Sequence, residues 1–148
     1  MANIKVVVGS VYGNAQQIAE DGALQLQQMG HQVGVLSNPQ LEQLVDDELD
    51  VILVITSTTG QGELPDNLLP LYTQLQDRFP LIPEARFGVI ALGDSGYPDF
   101  AEAGRLMADL LRDLQARPVG ETLFIDACET PDADEAAADW LASWGRLL

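Results

Sequence analysis

The chain reads VILVITSTTGQGE at residues 51–63, an apolar run followed by a polar segment that contains two glycines. β-branched residues dominate the first half, and such a run with polar ends is typical of a strand that is buried on both faces. It is too short to cross a membrane. The sequence therefore predicts a central strand at Val51–Thr56, with an adaptable loop rich in hydroxyl groups at its carboxyl end.

Strand and helix signals alternate on both sides of this central strand. The other predicted strands are Ile4–Val8, Val33–Leu36, Phe87–Leu92 and Val119–Ile125. The predicted helices are residues 15–29, ended by Gly30; 39–44; 68–75, with Pro70 in the first turn or kinking the helix; 103–114; and 137–144, capped near Asp132. Because parallel strands need crossover connections, this order predicts one α/β domain, residues 1–148, whose parallel sheet carries helices on both faces.

Ligands of such sheets bind beyond the carboxyl ends of the strands, so the loops there are the first place to look for a site. The first loop, Gly9–Ala15, leads into a helix whose N-terminal N–H groups and dipole favour an anion. It lacks the glycine pattern of dinucleotide sites and the lysine of phosphate-transfer loops. It therefore suits a static phosphate monoester, because phosphoryl transfer needs cations. Taken alone, it could also be a polar turn that caps the helix.

Two further loops are predicted at the same edge of the sheet. The second, Thr56–Glu63, offers hydroxyl groups and two glycines. The third, Leu92–Phe100, places Tyr97 where its ring could stack on a planar heterocycle. The alternative for Tyr97 is ordinary packing against Pro98 or Phe100. Convergence of three such loops favours one shared ligand site over three separate structural explanations.

The charge balance restricts the partners. The chain has 23 acidic and 7 basic residues, for a formal net charge of -16. Such a surface repels nucleic acid and anionic membranes, and it would steer the protein toward a basic partner. The alternative is that the acidity only aids solubility.

Cys128 is the only cysteine and His31 the only histidine, which excludes an internal disulfide and a thiolate metal cluster. No metal site is predicted, and both residues are expected to be structural or incidental, with His31 in a surface turn. Trp140 and Trp144, four residues apart on the last helix, are expected to pack there. The N-terminus has no signal-peptide pattern, which favours a cytoplasmic protein.

Taken together, the three loops resemble those of flavodoxins and of the FMN domains of diflavin reductases, over essentially the whole chain. The first resembles the phosphate loop of that family, the second the loop beside the flavin N5 edge, and the third the flavin-stacking loop, with Gly93, Asp94 and Tyr97 in the expected places. Leu69–Tyr72 matches the usual start of the third helix. The resemblance implies a flavodoxin-like three-layer sandwich with strand order 2-1-3-4-5. The chain length and an uninterrupted final strand suggest the short-chain branch.

The resemblance also implies a low-potential carrier that moves electrons singly on one non-covalently bound FMN. The donor would be an NADPH-dependent flavodoxin reductase, and the acceptors would be redox enzymes with basic docking surfaces. A monomer is expected, docking through acidic residues around the flavin edge: Glu63, Asp66, Asp99 and Glu102. The predicted cofactor-binding residues are Ser10, Val11, Tyr12, Gly13, Asn14, Ala15, Ser57, Thr58, Thr59, Gly60, Gln61, Gly62, Leu92, Gly93, Asp94, Tyr97, Asp99 and Phe100.

Three of these positions carry more specific expectations. Tyr12 stands where many family members have a small hydroxyl residue, so its contact with the phosphate is expected from the backbone only. Thr59 stands where many have an aromatic ring over the inner face of the flavin. Gly60 is the residue whose carbonyl we expect to turn toward flavin N5 on reduction, because glycine allows the peptide to rotate.

Two other functions compete with electron transfer. A phosphoacceptor receiver shares this topology but needs acidic residues after the first strand, an aspartate after the third and a lysine after the fifth. This chain has Gly9-Ser10, Thr56-Ser57 and Asp126-Ala127 there, which argues against a receiver. An FMN-dependent reductase with its own small-molecule substrate is the remaining alternative, since flavin does much of its own chemistry.

Overall fold

The computed structural model describes residues 2–10, 13–58, 62–96, 101–130 and 132–148. Within these ranges the strands are β1 (Asn3–Gly9), β2 (Gln32–Leu36), β3 (Val51–Thr56), β4 (Arg86–Gly93), β5 (Arg117–Pro118) and β6 (Leu123–Asp126). The helices are α1 (Asn14–Gln28), α2 (Leu41–Leu44), α3 (Leu69–Arg78), α4 (Glu102–Asp113) and α5 (Ala133–Arg146). No helix of the described part is both long and apolar enough to span a membrane.

The strands form one parallel sheet in the order β2-β1-β3-β4-β5. Strand β6 also pairs with β4, along the part of β4 that follows its pairing with β5. This confirms the predicted order 2-1-3-4-5. Strand β3 lies at the centre and is buried along its whole length. Ile52 and Val54 pack into the apolar cluster on the face covered by α3 and α4, whereas Leu53 and Ile55 pack into the cluster under α1 and α5. The central strand is apolar from Val51 to Ile55 because both of its faces are covered.

The final strand differs from the prediction of a continuous strand at Val119–Ile125. It consists of two segments, β5 and β6, and the register against β4 shifts by two residues between them. Pro118 has no N–H for the ladder, and Gly120 has a φ of 68°, so the backbone turns out of line here. The break is only four residues long, and the chain keeps the length of the short-chain branch.

Two tryptophans of α5 bind the backbone at this break. The Trp144 indole N–H donates to the carbonyl of Val119 at 3.1 Å, and the Trp140 N–H donates to the carbonyl of Glu121 at 3.0 Å. Their rings stack with centroids 5.3 Å apart. The expected packing role of both residues is confirmed, with the addition that they satisfy carbonyls that the strand leaves unpaired.

The helix ends follow the predicted signals. Gly30, with a φ of 97°, follows the end of α1, and Pro70 lies in the first turn of α3. The Asp132 side chain caps α5 by accepting a hydrogen bond from the Glu135 N–H.

His31 lies in the predicted turn but is half-buried rather than a plain surface residue. Its Nδ1 accepts from the Ala2 N–H at 3.1 Å, and its Nε2 lies 2.9 Å from the carbonyl of Gly145. The neutral ring can accept at the first nitrogen and donate at the second, so it ties the start of β1 to the end of α5.

Candidate cofactor site

The sheet register brings the three predicted loops to one edge. Gly9 at the end of β1 pairs with Thr56 at the end of β3, and Thr56 pairs with Ala91 near the end of β4. The Ser57 N–H donates to the Gly9 carbonyl at 2.9 Å, which extends this pairing into the second loop. The loops therefore leave the sheet side by side, as the sequence predicted.

The described residues of the first loop lead into the N-terminus of α1. The Ser10 hydroxyl oxygen accepts a hydrogen bond from the Gly13 N–H at 2.8 Å, which closes the loop on itself. Gly13 is the N-cap of α1 with a φ of 90°, a conformation that glycine adopts without strain. The first helical hydrogen bond runs from the Gln17 N–H to the Gly13 carbonyl. The N–H groups of Asn14 and Ala15 precede it and are the ones that a helix N-terminus offers to a phosphate.

This geometry refines the predicted roles in the first loop. Gly13 uses its N–H within the loop, so the phosphate contacts expected from the described backbone come from the first turn of α1. The Ser10 hydroxyl accepts from Gly13 through its oxygen and retains its own hydrogen as a donor. Val11 and Tyr12, including the special expectation for Tyr12, lie outside the described residues.

The second loop is tied to its neighbours through hydroxyl groups. The Ser57 hydroxyl donates to the Gly9 carbonyl at 3.3 Å, and the Thr58 hydroxyl oxygen accepts from the Ala103 N–H at 3.2 Å. The latter bond satisfies an N–H in the first turn of α4, whose N-cap, Ala101, provides no side-chain cap. Thr58 thus links the second loop to the helix that follows the third.

The end of the second loop requires glycine, and the middle is not described. Gly62 is buried and has a φ of 79°, a backbone conformation that side chains disfavour. Thr59, Gly60 and Gln61 lie outside the described residues, and so do the expectations placed on Thr59 and Gly60.

The third loop is held by a network of acceptors at the ends of β4 and β6. Asp94 Oδ1 accepts from the Gly96 N–H at 2.8 Å and from the Cys128 thiol at 2.9 Å. Asp126 Oδ1 accepts from the N–H groups of Ser95 and Cys128 at 3.0 and 2.9 Å. Leu92 is buried, and Gly93 and Asp94 are half-buried. Tyr97, Asp99 and Phe100 lie outside the described residues.

The hydrogen bonds of this network change the acidity of its members. Bonds from the side chain and the backbone N–H of Ser95 hold the pKa of Asp126 below its ordinary value, against the opposing effect of burial. The hydrogen bond to Asp94 raises the pKa of the Cys128 thiol. The ligand atoms of Asp94, Asp126 and Cys128 lie within 4.8 Å of one another. The printed hydrogen bonds within this cluster join the third loop to the end of β6, so the cluster acts as a hydrogen-bonded anchor of that loop.

Two residues of the site were missed by sequence reasoning. Asn67 accepts from the Ser10 N–H at 3.0 Å and donates to the carbonyls of Val8 and Ser37 at 3.0 and 2.8 Å. Asp126, which is 7% exposed, holds the third loop from the end of β6. The sequence does not reveal these roles, because the partners of Asn67 are 30–59 residues away and the third-loop residue Ser95 is 31 residues from Asp126.

Fold and site together define an α/β protein with a parallel sheet of order 2-1-3-4-5, in which a helix N-terminus and three loops meet at one sheet edge. A family model described as Flavodoxin matches residues 6–140. The curated "Flavodoxin YqcA" of Pectobacterium carotovorum subsp. carotovorum is 43% identical over 148 residues, which is 100% of this chain and 98% of that protein. A solved structure titled "C101A mutant of Flavodoxin from Pseudomonas aeruginosa" has a TM-score of 0.92 at 39% identity and covers 99% of this chain and 98% of that one.

The chain belongs to the flavodoxin family, as a short-chain member. Its cofactor is FMN and its activity is electron transfer, as the resemblance of the three loops to that family implied. The resemblance to diflavin reductases is also confirmed. The "Sulfite reductase [NADPH] flavoprotein alpha-component" of Bacillus subtilis (strain 168) is 37% identical over 139 residues, which is 93% of this chain and 22% of that longer protein.

Proposed function

We propose that residues 1–148 act as a single FMN domain that carries electrons one at a time between a reductase and acceptor enzymes. The FMN phosphate binds at Ser10 and the first turn of α1. The flavin ring lies between the second and third loops, with Tyr97 against one of its faces. The proposal includes every cofactor-binding residue predicted from the sequence, those outside the described ranges among them.

The observation that carries this proposal is the alignment of strand ends at Gly9, Thr56 and Ala91. This alignment supports the proposal because it brings the helix N-terminus and the two flanking loops within reach of one ligand. The site also fits FMN chemically. A phosphate monoester needs donors rather than a catalytic cation, and no lysine or arginine occurs in the first loop.

Bound FMN supplies the redox chemistry, since a flavin takes up and releases electrons singly or in pairs. The chain supplies binding, orientation and electrostatics. Acidic residues oppose the build-up of negative charge on the reduced ring, so the second electron should enter at a lower potential than the first.

Stepwise reduction of the FMN-loaded protein tests this function. We expect two separated one-electron steps, with a long-wavelength absorption band between them that is diagnostic of half-reduced flavin. A single two-electron step without that band would contradict a one-electron carrier and favour a flavin enzyme.

We further propose that the donor is an NADPH-dependent flavodoxin reductase and that partners dock through basic surfaces. The net charge of -16 supports this, as does the relative from Bacillus subtilis, which is named as an NADPH-dependent flavoprotein. Glu63 and Asp66 are exposed beside the second loop, and Glu102 is half-buried at the start of α4. Asp99 lies outside the described residues.

Salt dependence tests the docking proposal. The protein is expected to act as a monomer in the cytoplasm, so its association with the reductase is bimolecular. The association rate should fall as salt rises, because the Debye length shrinks from about 10 Å at 0.1 M to about 3 Å at 1 M. Alanine in place of Glu63 and Asp66 should reduce that slope. A rate that is flat across this range would remove electrostatic steering.

A further inference from the structure

We propose that Asn67 is a positioning residue for the FMN phosphate, which holds the first loop ready although it lies outside that loop. The inference rests on the proposed placement of the phosphate at Ser10 and α1. Asn67 is half-buried in the segment between the second loop and α3. Its amide makes three hydrogen bonds, and two of them reach the residues on either side of Gly9.

The Asn67 side chain takes the place of a missing strand residue. Strand β2 pairs with β1 only as far as Leu36 opposite Val7. Successive residues of a strand direct their backbone groups to opposite neighbours. The Gly9 carbonyl faces β3, where it accepts from Ser57, so the polar groups of Val8 and Ser10 face the β2 side. There the amide of Asn67 donates to Val8 and accepts from Ser10, as a neighbouring backbone would.

The same amide fixes the chain that leaves β2. Its second N–H donates to the carbonyl of Ser37, the residue that follows the end of β2. One neutral side chain therefore satisfies backbone groups of two strand ends that no longer pair with each other. Backbone groups left unpaired at a partly buried edge reduce the stability of the fold. Position 67 therefore requires a side chain that can both donate and accept hydrogen bonds.

Apolar packing by Leu68, the residue after Asn67, also positions the end of β1. Leu68 is fully buried, and a Cβ added to Gly9 would lie 2.8 Å from its Cδ2 and would collide with the Thr56 hydroxyl. The segment 67–68 thus clamps Gly9 by a hydrogen-bonded side chain and an apolar one. The fixed position of Gly9 in turn positions the residues that follow. The Ser10 hydroxyl accepts from the Gly13 N–H, and Gly13 is the N-cap of α1.

Charge explains why an amide suits this position. A carboxylate could still accept from Ser10 but would lose both donors to the carbonyls of Val8 and Ser37. It would also place a negative charge beside the loop that binds a phosphate dianion, in a chain of net charge -16. The amide provides the order without the repulsion.

The test compares FMN with riboflavin, which lacks the phosphate, in apoprotein variants. Asn67→Ala should weaken FMN binding about tenfold, the scale of one or two lost hydrogen bonds, and change riboflavin binding much less. Asn67→Asp should weaken FMN binding more, and its deficit should shrink as salt is raised. The control, Asn38→Ala, removes an exposed amide one residue beyond Ser37 and should leave both affinities unchanged.

The outcomes separate this inference from the proposed function. If the wild type binds both flavins equally, the phosphate assignment fails. If the wild type prefers FMN and both Asn67 variants keep the full preference, or lose both flavins equally, Asn67 has no positioning role. Should the variants fail to fold, amide hydrogen exchange of the wild-type apoprotein decides. We expect the Ser10 N–H to be protected, because its acceptor is Asn67, and exchange at the rate of an open loop would overturn the inference.

Discussion

The first and third loops are each held by a side chain from elsewhere in the fold, but the two anchors differ in charge. Asn67, a neutral amide, holds the first loop through both donors and an acceptor. Asp94 and Asp126 hold the third loop as acceptors only, from N–H groups and a thiol. The first anchor lies beside the proposed phosphate, where a carboxylate would repel the ligand. The second lies at the edge assigned to the uncharged ring.

This difference has a consequence for pH. An amide does not titrate, so the first anchor should act equally at neutral and acidic pH. A carboxylate that accepts hydrogen bonds as an anion binds its donors less strongly once it is protonated. The two loops should therefore respond differently to the same change of conditions, and variants of each anchor can separate them.

Filling the space under the first loop should have the largest effect. Gly9→Ala forces a Cβ against Thr56 and Leu68, and overpacking of this kind costs about 1–3 kcal/mol. The matched control is Gly34→Ala, in β2, where no atom lies within 4 Å of the added Cβ. Chemical denaturation of both apoproteins measures the difference in the free energy of unfolding. A Gly9→Ala variant as stable as Gly34→Ala would contradict the close packing of Thr56 and Leu68 against Gly9.

A smaller effect is expected at the third loop, and it should depend on pH. The folded pKa of Asp126 lies below the unfolded value, so its stabilisation is present above the unfolded pKa of about 3.9 and is lost as pH falls through the lowered folded value. Asp126→Asn should therefore be less stable than the wild type at pH 7, and the gap should close in acid.

Two comparisons make the pH experiment specific. The exposed Asp139→Asn should show no such gap, and the Asn67→Ala deficit should not change with pH. Free energies of unfolding at pH 7 and pH 3 suffice. A constant gap between Asp126→Asn and the wild type would contradict an ionised anchor.

The smallest expected effect concerns Cys128. Its exposed thiol donates to Asp94, which raises the thiol pKa, so little thiolate forms near neutral pH. Asp94→Asn should lower that pKa and speed alkylation of Cys128 several-fold at pH 8. Asp139→Asn is again the control. Equal alkylation rates in the wild type and Asp94→Asn would contradict a hydrogen bond between Cys128 and Asp94.

Much of the fold could be predicted because its signals are local. The apolar run of β3 and the stripe of α4 matched the structure within one or two residues, and the cap at Asp132 was found as expected. The prediction of a continuous final strand was wrong. The break depends on Pro118, on Gly120 and on indole groups from α5 that sequence reasoning does not bring near it.

The site could be predicted only in part. Loops at strand ends identify themselves by composition and by the topology of the sheet. Their anchors do not, because Asn67 and Asp126 look like ordinary polar residues until the fold brings distant backbone groups to them. An asparagine at a turn before a helix has many structural explanations, and only its three partners distinguish this one.

The decisive measurement is the affinity of the wild-type apoprotein for FMN compared with its affinity for riboflavin. We expect the purified protein to be yellow and to release FMN. We expect the apoprotein to bind FMN far more tightly than riboflavin, because the first turn of α1 and Ser10 hold the phosphate. Equal affinities for the two flavins would contradict the phosphate site at the first loop, and with it the account of how this edge of the sheet holds the cofactor.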